Sequence, residues 1–571
     1  MRRFISVHGL LAGCCLTAVA ASAQAQQIPA RSVPTRDQIE APVEAPPQPR
    51  PQRVQVDGDI ERSPCALADP QYASIRTTIS RATFNGLIGM TEAELEPLYA
   101  GYLGADRPVS DICEIRDVVA TALRRRGYLA AVQVPTQEIK SGEVRFEILY
   151  ARMTSVRVRG GAGGSEALVA RYLNRLTQDA VFNLREAERY LLLARDLPGL
   201  DIHLALKPTG RAGEVYGDVT VTHQSVEADF NVQNLGASST GRWGGQARVQ
   251  LNGLTGMGDR TTIAFFATAP FREQHVLQLG HEMRIGDNGL QLSGRFTYAW
   301  SRPELPGEDL VRARTLFANL EARYPLQRRQ GSSLWLSGGL DLVNQTVRFA
   351  DVPIAHDKLR IAYLRMDGDV LDTTGARADW HAAWWVEARQ GLNMLGSIDW
   401  PKAGVTPPSR ADGDVGGTLV RAGGSGELVL APNVSAALTV SGQASADPLF
   451  AFEEFSAGNY TIGRGYDPGT LIGDDGIGGS LELRLDRLTP MRGPVAFQPF
   501  VFADWARVWN RGGGGDSLFS LGGGLRASFD NRFRLDVMLA VPTKRAGFQT
   551  EKGDARLLVS LTTKLWPWGA K

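Results

Sequence analysis

Residues 289–300, GLQLSGRFTYAW, alternate with period two. Leu290, Leu292, Phe296, Tyr298 and Trp300 point one way; Gln291, Ser293, Arg295 and Thr297 point the other. Segments of this kind recur from VEADFNVQNL and GRWGGQARVQLNG to ARLLVSLTTKLW at 555–566, roughly sixteen in all. About 21 residues per segment suffice for a tilted membrane strand and its connection. The pattern predicts a transmembrane β-barrel of about 16 antiparallel strands over 224–571. Trp300, Trp335, Trp380, Trp384, Trp385, Trp505, Trp509, Trp566 and Trp568 fall near segment ends, as an interfacial girdle requires. A soluble sandwich or propeller would not need so many outward apolar strands. No apolar run is long enough for a mature membrane helix.

Upstream the period changes. TEAELEPLYAGYLG puts Leu95, Leu98 and Tyr99 on one helical face, and DICEIRDVVATALRRRG does the same for Ile115, Val118, Val119 and Leu123. Gly127 stops the second helix; AAVQVP and EVRFEILYA follow as strands about the turn Lys140-Ser141-Gly142. The grammar then repeats, with strand MTSVRVRG, helices EALVARYLNRL and LREAERYLLLARDL, and strands DIHLALKP and EVYGDVTVTHQ. Two consecutive β-α-α-β-β modules are predicted, at 65–152 and 153–223. The loop GGAGG at 160–164 lacks the spacing and following acid of a dinucleotide fingerprint.

At the N-terminus, Arg2 and Arg3 precede an apolar run from Phe4 to Ala20. The small-residue sites Ala21-Ser22-Ala23 and Ala23-Gln24-Ala25 follow, predicting a signal peptide over 1–25 cleaved after Ala25, with Ala23 as second site. Leu11-Ala12-Gly13-Cys14 resembles a lipoprotein box, but the apolar run continues past it. Residues 26–64, with APVEAPPQPRPQ, are too rich in proline and too poor in bulky apolar side chains for a core, and read as an extended or disordered linker. Export leads to an oxidising compartment, where Cys65 and Cys113 are expected to pair. Such a bridge is worth roughly 4 kcal/mol.

The 62 basic and 61 acidic residues leave a net charge of +1, which offers nothing to a nucleic acid. The 7 histidines are scattered, and His281-Glu282 lacks the second histidine of a zinc-protease helix. Neither a metal, a cofactor nor a catalytic constellation is expected.

One run carries distinctive chemistry. NYTIGRGYDPG holds Gly463, Arg464, Gly465 and Tyr466 on a long loop at about 446–477, between the eleventh and twelfth predicted strands. Flanking glycines let a tight loop carry the guanidinium into a confined space. Downstream, Asp504 is the lone carboxylate of FVFADWARV, two residues after Phe502. A loop cation and a strand anion predict an internal tether. It is either a fixed ion pair that shapes the barrel or an anchor whose rearrangement accompanies transport.

Other motifs accompany it in a definite order. RRRGYLAAVQVPTQEIKSGEVRFEI carries Gly127, Tyr128, Pro135, Gln137, Ser141 and Gly142, and DLPG occupies 196–199. NLGASSTGRWGG and LNGLTGMGDR supply Asn234, Gly236, Thr240, Gly241, Asn252, Gly256, Gly258 and Asp259, and GDDGIGGSLELRL at 473–485 leaves the long loop. From about Cys65 to the C-terminus the chain resembles the outer-membrane transporters of two-partner secretion, which export filamentous haemagglutinin and haemolysins. These belong to the superfamily of the barrel-assembly proteins. Two positions depart from the usual motifs: Gly463 replaces a β-branched residue, and Ala506 often has a glycine counterpart.

The resemblance implies two periplasmic POTRA modules ahead of a sixteen-stranded outer-membrane barrel, with Arg464 paired to Asp504 in the lumen. The modules would capture a large unfolded exoprotein as an added strand, and the barrel would export it without ATP. The implied partners are that exoprotein, outer-membrane lipid, and the barrel-assembly machinery for the chain's own insertion. The linker's prolines would break the family's N-terminal plug helix, and Trp566 or Trp568 would serve in the assembly signal. The alternative is a barrel-insertion factor for other membrane proteins; a passive porin has no use for the modules. The client's identity is left open.

Overall fold

The computed structural model describes residues 34–43, 56–57 and 65–567, apart from 140, 212, 270, 305–310, 374–377, 486–494, 531 and 548. The expected signal peptide, most of the linker and Trp568 lie outside the described residues.

A short helix, α1 (Arg36–Glu40), comes first. In the first module α2 (Glu92–Tyr99) and α3 (Asp111–Arg125) cover a three-stranded sheet with Glu143–Tyr150 in the centre. Arg81–Asn85 pairs parallel on one side and Ala130–Gln133 antiparallel on the other. Val144, Phe146 and Ile148 alternate inward from the central strand and meet Leu95, Ile112, Ile115, Val119 and Leu123. Leu98, expected on the core face of α2, is 45% exposed; the buried stripe of this two-turn helix is Leu95 and Tyr99, an i, i+4 pair.

The second module runs strand Arg152–Gly160, α4 (Glu166–Asn174), α5 (Leu184–Arg195), then strands Leu200–Pro208 and Glu214–His223. Leu200–Pro208 would be the sheet edge, but Val56–Asp57 pairs parallel to it at Leu204 and Ala205.

Sixteen strands follow: β1 (Val226–Gln233), β2 (Gly244–Asn252), β3 (Arg260–Thr268), β4 (Gln274–Ile285), β5 (Leu290–Ser301), β6 (Val311–Arg328), β7 (Ser332–Phe349) and β8 (Val352–Leu371). The second half is β9 (Trp380–Gly391), β10 (Thr418–Ala431), β11 (Val434–Ser445), β12 (Asp475–Leu485), β13 (Val495–Trp509), β14 (Gly515–Phe529), β15 (Phe533–Pro542) and β16 (Arg556–Trp566). All neighbours are antiparallel and the sheet closes on itself, as the alternation predicted. Closure pairs Ala228–Gln233 of β1 with β16. Asn234 extends the seam, donating to Leu557 O at 2.8 Å and accepting from Val559 N at 2.7 Å.

Alternation sorts the wall into two faces. On β13, Phe500, Phe502, Asp504, Ala506 and Val508 are buried toward the lumen, whereas Val501 and Trp505 face outward, 57% and 41% exposed. Trp335 and Trp385 do not join the outer girdle. They share the inward face of their strands with buried Ser337 and Glu387, and lie under Arg323 and Arg365. A cation–π partner makes an aromatic ring useful on the polar side of the wall.

The second module docks on the turns that open the barrel's lower rim. Asp196, the first residue of DLPG, receives Arg328 of β6 in a bidentate pair at 2.7 and 2.8 Å, and Arg175 meets Asp287 at 2.6 Å. Asp196→Ala is therefore expected to weaken docking by about 1–3 kcal/mol. Pulsed electron spin resonance between labels at exposed His203 and at Arg329 should show a broadened distance distribution, with barrel melting unchanged.

Candidate functional site in the barrel lumen

The connection between β11 and β12 spans 446–474; residues 475–477, expected in the loop, already belong to β12. Within it Phe455–Ala457 and Leu471–Gly473 form a small hairpin. Ala457, Ile462, Tyr466 and Leu471 pack against Ala506, Val508 and Leu518 of the wall. At the tip Gly463 has φ +121°, and a Cβ there would lie 2.9 Å from Leu518. A β-branched residue fits neither this backbone nor this space.

Arg464 sits against the inner faces of β12, β13 and β14. Its backbone N–H and Nε donate to Asp504 Oδ2, both at 2.9 Å, and Nη2 donates to Oδ1 at 2.6 Å. Nη1 donates to Glu482 at 2.6 Å and Nη2 to Ser480 Oγ at 2.7 Å. The guanidinium carbon lies 3.5 Å from the centre of the Phe502 ring. Sheet register explains the setting: Asp504 is flanked by Ser480 on β12 and Ser520 on β14, and Phe502 by Glu482 and Gly522. Gly522 is required there, because a Cβ would fall 2.4 Å from the Phe502 ring. The Tyr466 hydroxyl lies 2.9 Å from Phe519 O and 2.8 Å from Lys544 O, fixing the far side of the tip.

The structure thus brings Gly463, Arg464, Gly465 and Tyr466 together with Phe502 and Asp504. Sequence reasoning missed Ser480, Glu482, Ser520 and Arg526. Glu482 accepts from Arg464, Arg484 and Arg526, and Arg526 stacks 4.0 Å over Phe500. Period two in GGSLELRL puts Ser480 and Glu482 on one face, a signal that was present.

The linker holds a second surprise: residues 34–43 are not extended. Thr35 caps α1 in a capping box with Gln38, and Ala41–Val43 continues as a 3₁₀ turn. Pro34 precedes the cap and Pro42 follows the helix, so the prolines frame it rather than break it. Five residues cannot hold a helix alone; the lumen does. Arg36 pairs with Asp341 of β7 at 3.0 Å and Glu40 with Arg295 of β5 at 3.0 Å. Ile39, 1% exposed, is buried among Phe266, Val276, Phe317 and Phe452. Gln274 and Gln345 of the wall donate to Gln38 O and Pro34 O.

Helix and loop also touch each other: Gln38 Nε2 donates to Pro468 O at 3.0 Å, and Arg36 lies near Glu453 and over Phe452. Arg389 of β9 is the hub beside them, meeting Asp341 at 2.7 Å, Glu387 at 2.8 Å and Glu453 at 2.6 Å while 1% exposed. Far below, Cys65 and Cys113 are bonded, with Cα atoms 6.0 Å apart, tying residues 65–72 to α3.

The family described as haemolysin secretion/activation protein ShlB/FhaC/HecB matches residues 218–527, more than half of the chain, and the ShlB-type POTRA domain matches 77–150. The chain belongs to the ShlB/FhaC/HecB family. The heme/hemopexin transporter protein HuxB of Haemophilus influenzae (strain 86-028NP) is 28% identical over 173 residues, 30% of this chain and 31% of that protein. The outer membrane transporter CdiB of Escherichia coli O6:K15:H31 (strain 536 / UPEC) is 22% identical over 233 residues, 39% and 38% of the two chains. The matches span about a third of these curated relatives' length. The structure of CdiB from Escherichia coli has the same fold, with TM-score 0.71 at 16% identity over 89% of this chain and 94% of that one. CdiB from Acinetobacter baumannii gives 0.63 at 17%, over 89% and 91%. As a family member the chain is an outer-membrane β-barrel with its POTRA modules in the periplasm.

Two substitutions test the lumen. Arg389→Ala leaves Asp341, Glu387 and Glu453 short of a buried cation and should cost about 3–5 kcal/mol, read as a lower temperature for loss of the compact band on semi-native gels. Gly522→Val should displace Phe502 and with it Arg464, and lower that temperature too.

Proposed function

We propose that this chain is the translocase of a two-partner secretion pair. It captures an unfolded exoprotein on its POTRA modules and passes it through the barrel to the cell surface without ATP. The observation that carries this reading is a lumen filled by two parts of the chain that are not wall strands, α1 and the 446–474 loop, each seated through ion pairs and hydrogen bonds as well as apolar contacts.

Capture by strand addition is supported by the second module's edge. Its strand Leu200–Pro208 has the geometry to accept an extended segment, since Val56–Asp57 already pairs there. In the first module Ala130–Gln133 is an edge strand, beside a groove toward α3 lined by Leu67, Ile112, Val134 and Ile139. Backbone recognition of this kind suits many sequences, so it leaves the client undetermined. The Cys65–Cys113 bond would keep the groove's rim in place outside the cytoplasm. Arg464 is read as the anchor of a loop that transport requires, with Asp504 and Phe502 as its seat. No catalytic step is needed, and the barrel's other partners are outer-membrane lipid and the assembly machinery that inserts it.

A barrel-insertion factor is disfavoured by the seam. β1 and β16 pair from Ala228 to Gln233, and Asn231 stitches them further, donating to Ser560 and Thr562; an insertion factor gains from a seam that opens.

Arg464→Lys keeps the charge and loses the planar fork. The expected outcome is a folded, heat-modifiable barrel with secretion of a co-expressed client reduced roughly tenfold; normal secretion would end the anchor reading. Arg36→Ala with Ile39→Asp should free α1 and raise single-channel conductance in planar bilayers. Unchanged conductance would mean that α1 does not obstruct the pore.

A further inference from the structure

The outer wall carries a charge pattern that neither folding nor secretion accounts for. Near the extracellular ends of β4 to β7, Arg312 and Arg314 of β6 and Arg348 of β7 point outward and are exposed, joined by Arg272 after β3 and Arg302 after β5. Arg312 and Arg348 are direct cross-strand partners, and Arg314 stands opposite Trp300 and Thr346. Like charges placed opposite each other destabilise a sheet. The acid that answers them is Asp351, 2.6 Å from Arg312 and 67% exposed. Among the described residues Arg272, Arg302, Arg314 and Arg348 have no ion-pair partner. The connection 305–310, which contains Glu308 and Asp309, lies outside the described residues.

Two adjoining clefts share Arg312 and Arg314. One, of about 370 Å³, also has Arg272, Arg302, His275 and Trp300; the other, of about 260 Å³, has Tyr298, Asn344, Thr346 and Arg348, with Asp351, the partner of Arg312, as its one acid. Their depth in the membrane follows from the strands. The next outward residues of β6 are Leu316, Ala318 and Leu320, the last 61% exposed, and β4 continues with Leu277 and Leu279. The arginines therefore sit directly above the hydrocarbon band, level with the headgroups of the outer leaflet.

We propose that this face binds the phosphorylated headgroup of an outer-leaflet glycolipid. Guanidinium forks match phosphate oxygens, and two clefts with shared arginines suit a headgroup carrying more than one phosphate. Asn344 and Thr346 offer polar contacts to its sugars, and the apolar strand faces below receive its acyl chains. The inference rests on the outer-membrane placement of the barrel and not on the secretion mechanism.

The test uses the full chain purified in detergent and stripped of lipid, with diphosphorylated lipid A as probe and binding read by native mass spectrometry. Arg314→Glu with Arg348→Glu should bind roughly tenfold more weakly, while Arg211→Glu in the second module should bind as the parent does. Lipid A with its phosphates removed should bind the parent as weakly as intact lipid binds the double variant. Arg314→Gln with Arg348→Gln, which relieves the repulsion, should melt no lower than the parent in lipid-free detergent and should also lose binding. Unchanged binding by the folded Gln variant would overturn the proposal. So would equal binding of phosphate-free lipid, equal binding of phosphatidylglycerol, or full competition by inorganic phosphate at millimolar level. A barrel that binds lipid A as expected but does not secrete would refute the translocase reading alone.

Discussion

Closing sixteen strands into a barrel leaves a lumen wider than its wall side chains can fill. The contents of the lumen answer that constraint. Lipid claims the outward face of every strand, so the charged and polar wall residues turn inward, including Asp341, Gln345, Arg389 and Asp504, all nearly or fully buried, beside apolar ones such as Phe317 and Phe502. Whatever fills the lumen must then satisfy charges rather than merely occupy space, because a buried charge without a partner is far more costly than a void. The long loop brings Arg464 and Glu453, and α1 brings Arg36 and Glu40.

The fit at the loop tip depends on backbone as much as on charge. Asp504 accepts a backbone N–H as well as two side-chain donors from Arg464, which requires the chain at 463–465 to lie flat on the wall. Gly463 supplies the conformation, and Gly522 lets Phe502 lie under the guanidinium. The departure from a β-branched residue at 463 is thus part of the local solution in this chain.

How much of this the sequence carried varies with the physics of each part. Barrel strands were legible because lipid enforces period two over many segments at once. The pairing of Arg464 with Asp504 could be anticipated from a loop motif and a lone carboxylate, whereas Glu482, on the same face of β12 as Ser480, was passed over as one acid among many. Trp335 and Trp385 misled because either face of a strand can hold a ring, and only an arginine neighbour makes the inward choice favourable. The helix α1 was illegible for a deeper reason. Its local signals, the Thr35–Gln38 capping box and the Arg36–Glu40 pair, are too little to hold five residues in a helix, and the contacts that seat it in the lumen come from residues more than two hundred positions away.

The two fillings are not equivalent, and the difference lies in what each would leave behind. Without α1, Asp341 keeps Arg389 and Asn319, Glu387 keeps Arg389 and Arg421, and Arg295 is 42% exposed already. The wall on that side is internally neutralised. Without the loop tip, Glu482 keeps Arg484 and Arg526, but Asp504 loses its cation and retains only hydroxyl neighbours from Ser480 and Ser520. Withdrawal of α1 therefore costs mainly its own contacts, whereas withdrawal of the tip also strands a carboxylate in the wall. The helix is the part whose departure the wall tolerates, and the loop is the part it holds. A path for an extended chain would accordingly open first along the side of β4 to β9, where α1 lies, with the tip still seated on β12 to β14.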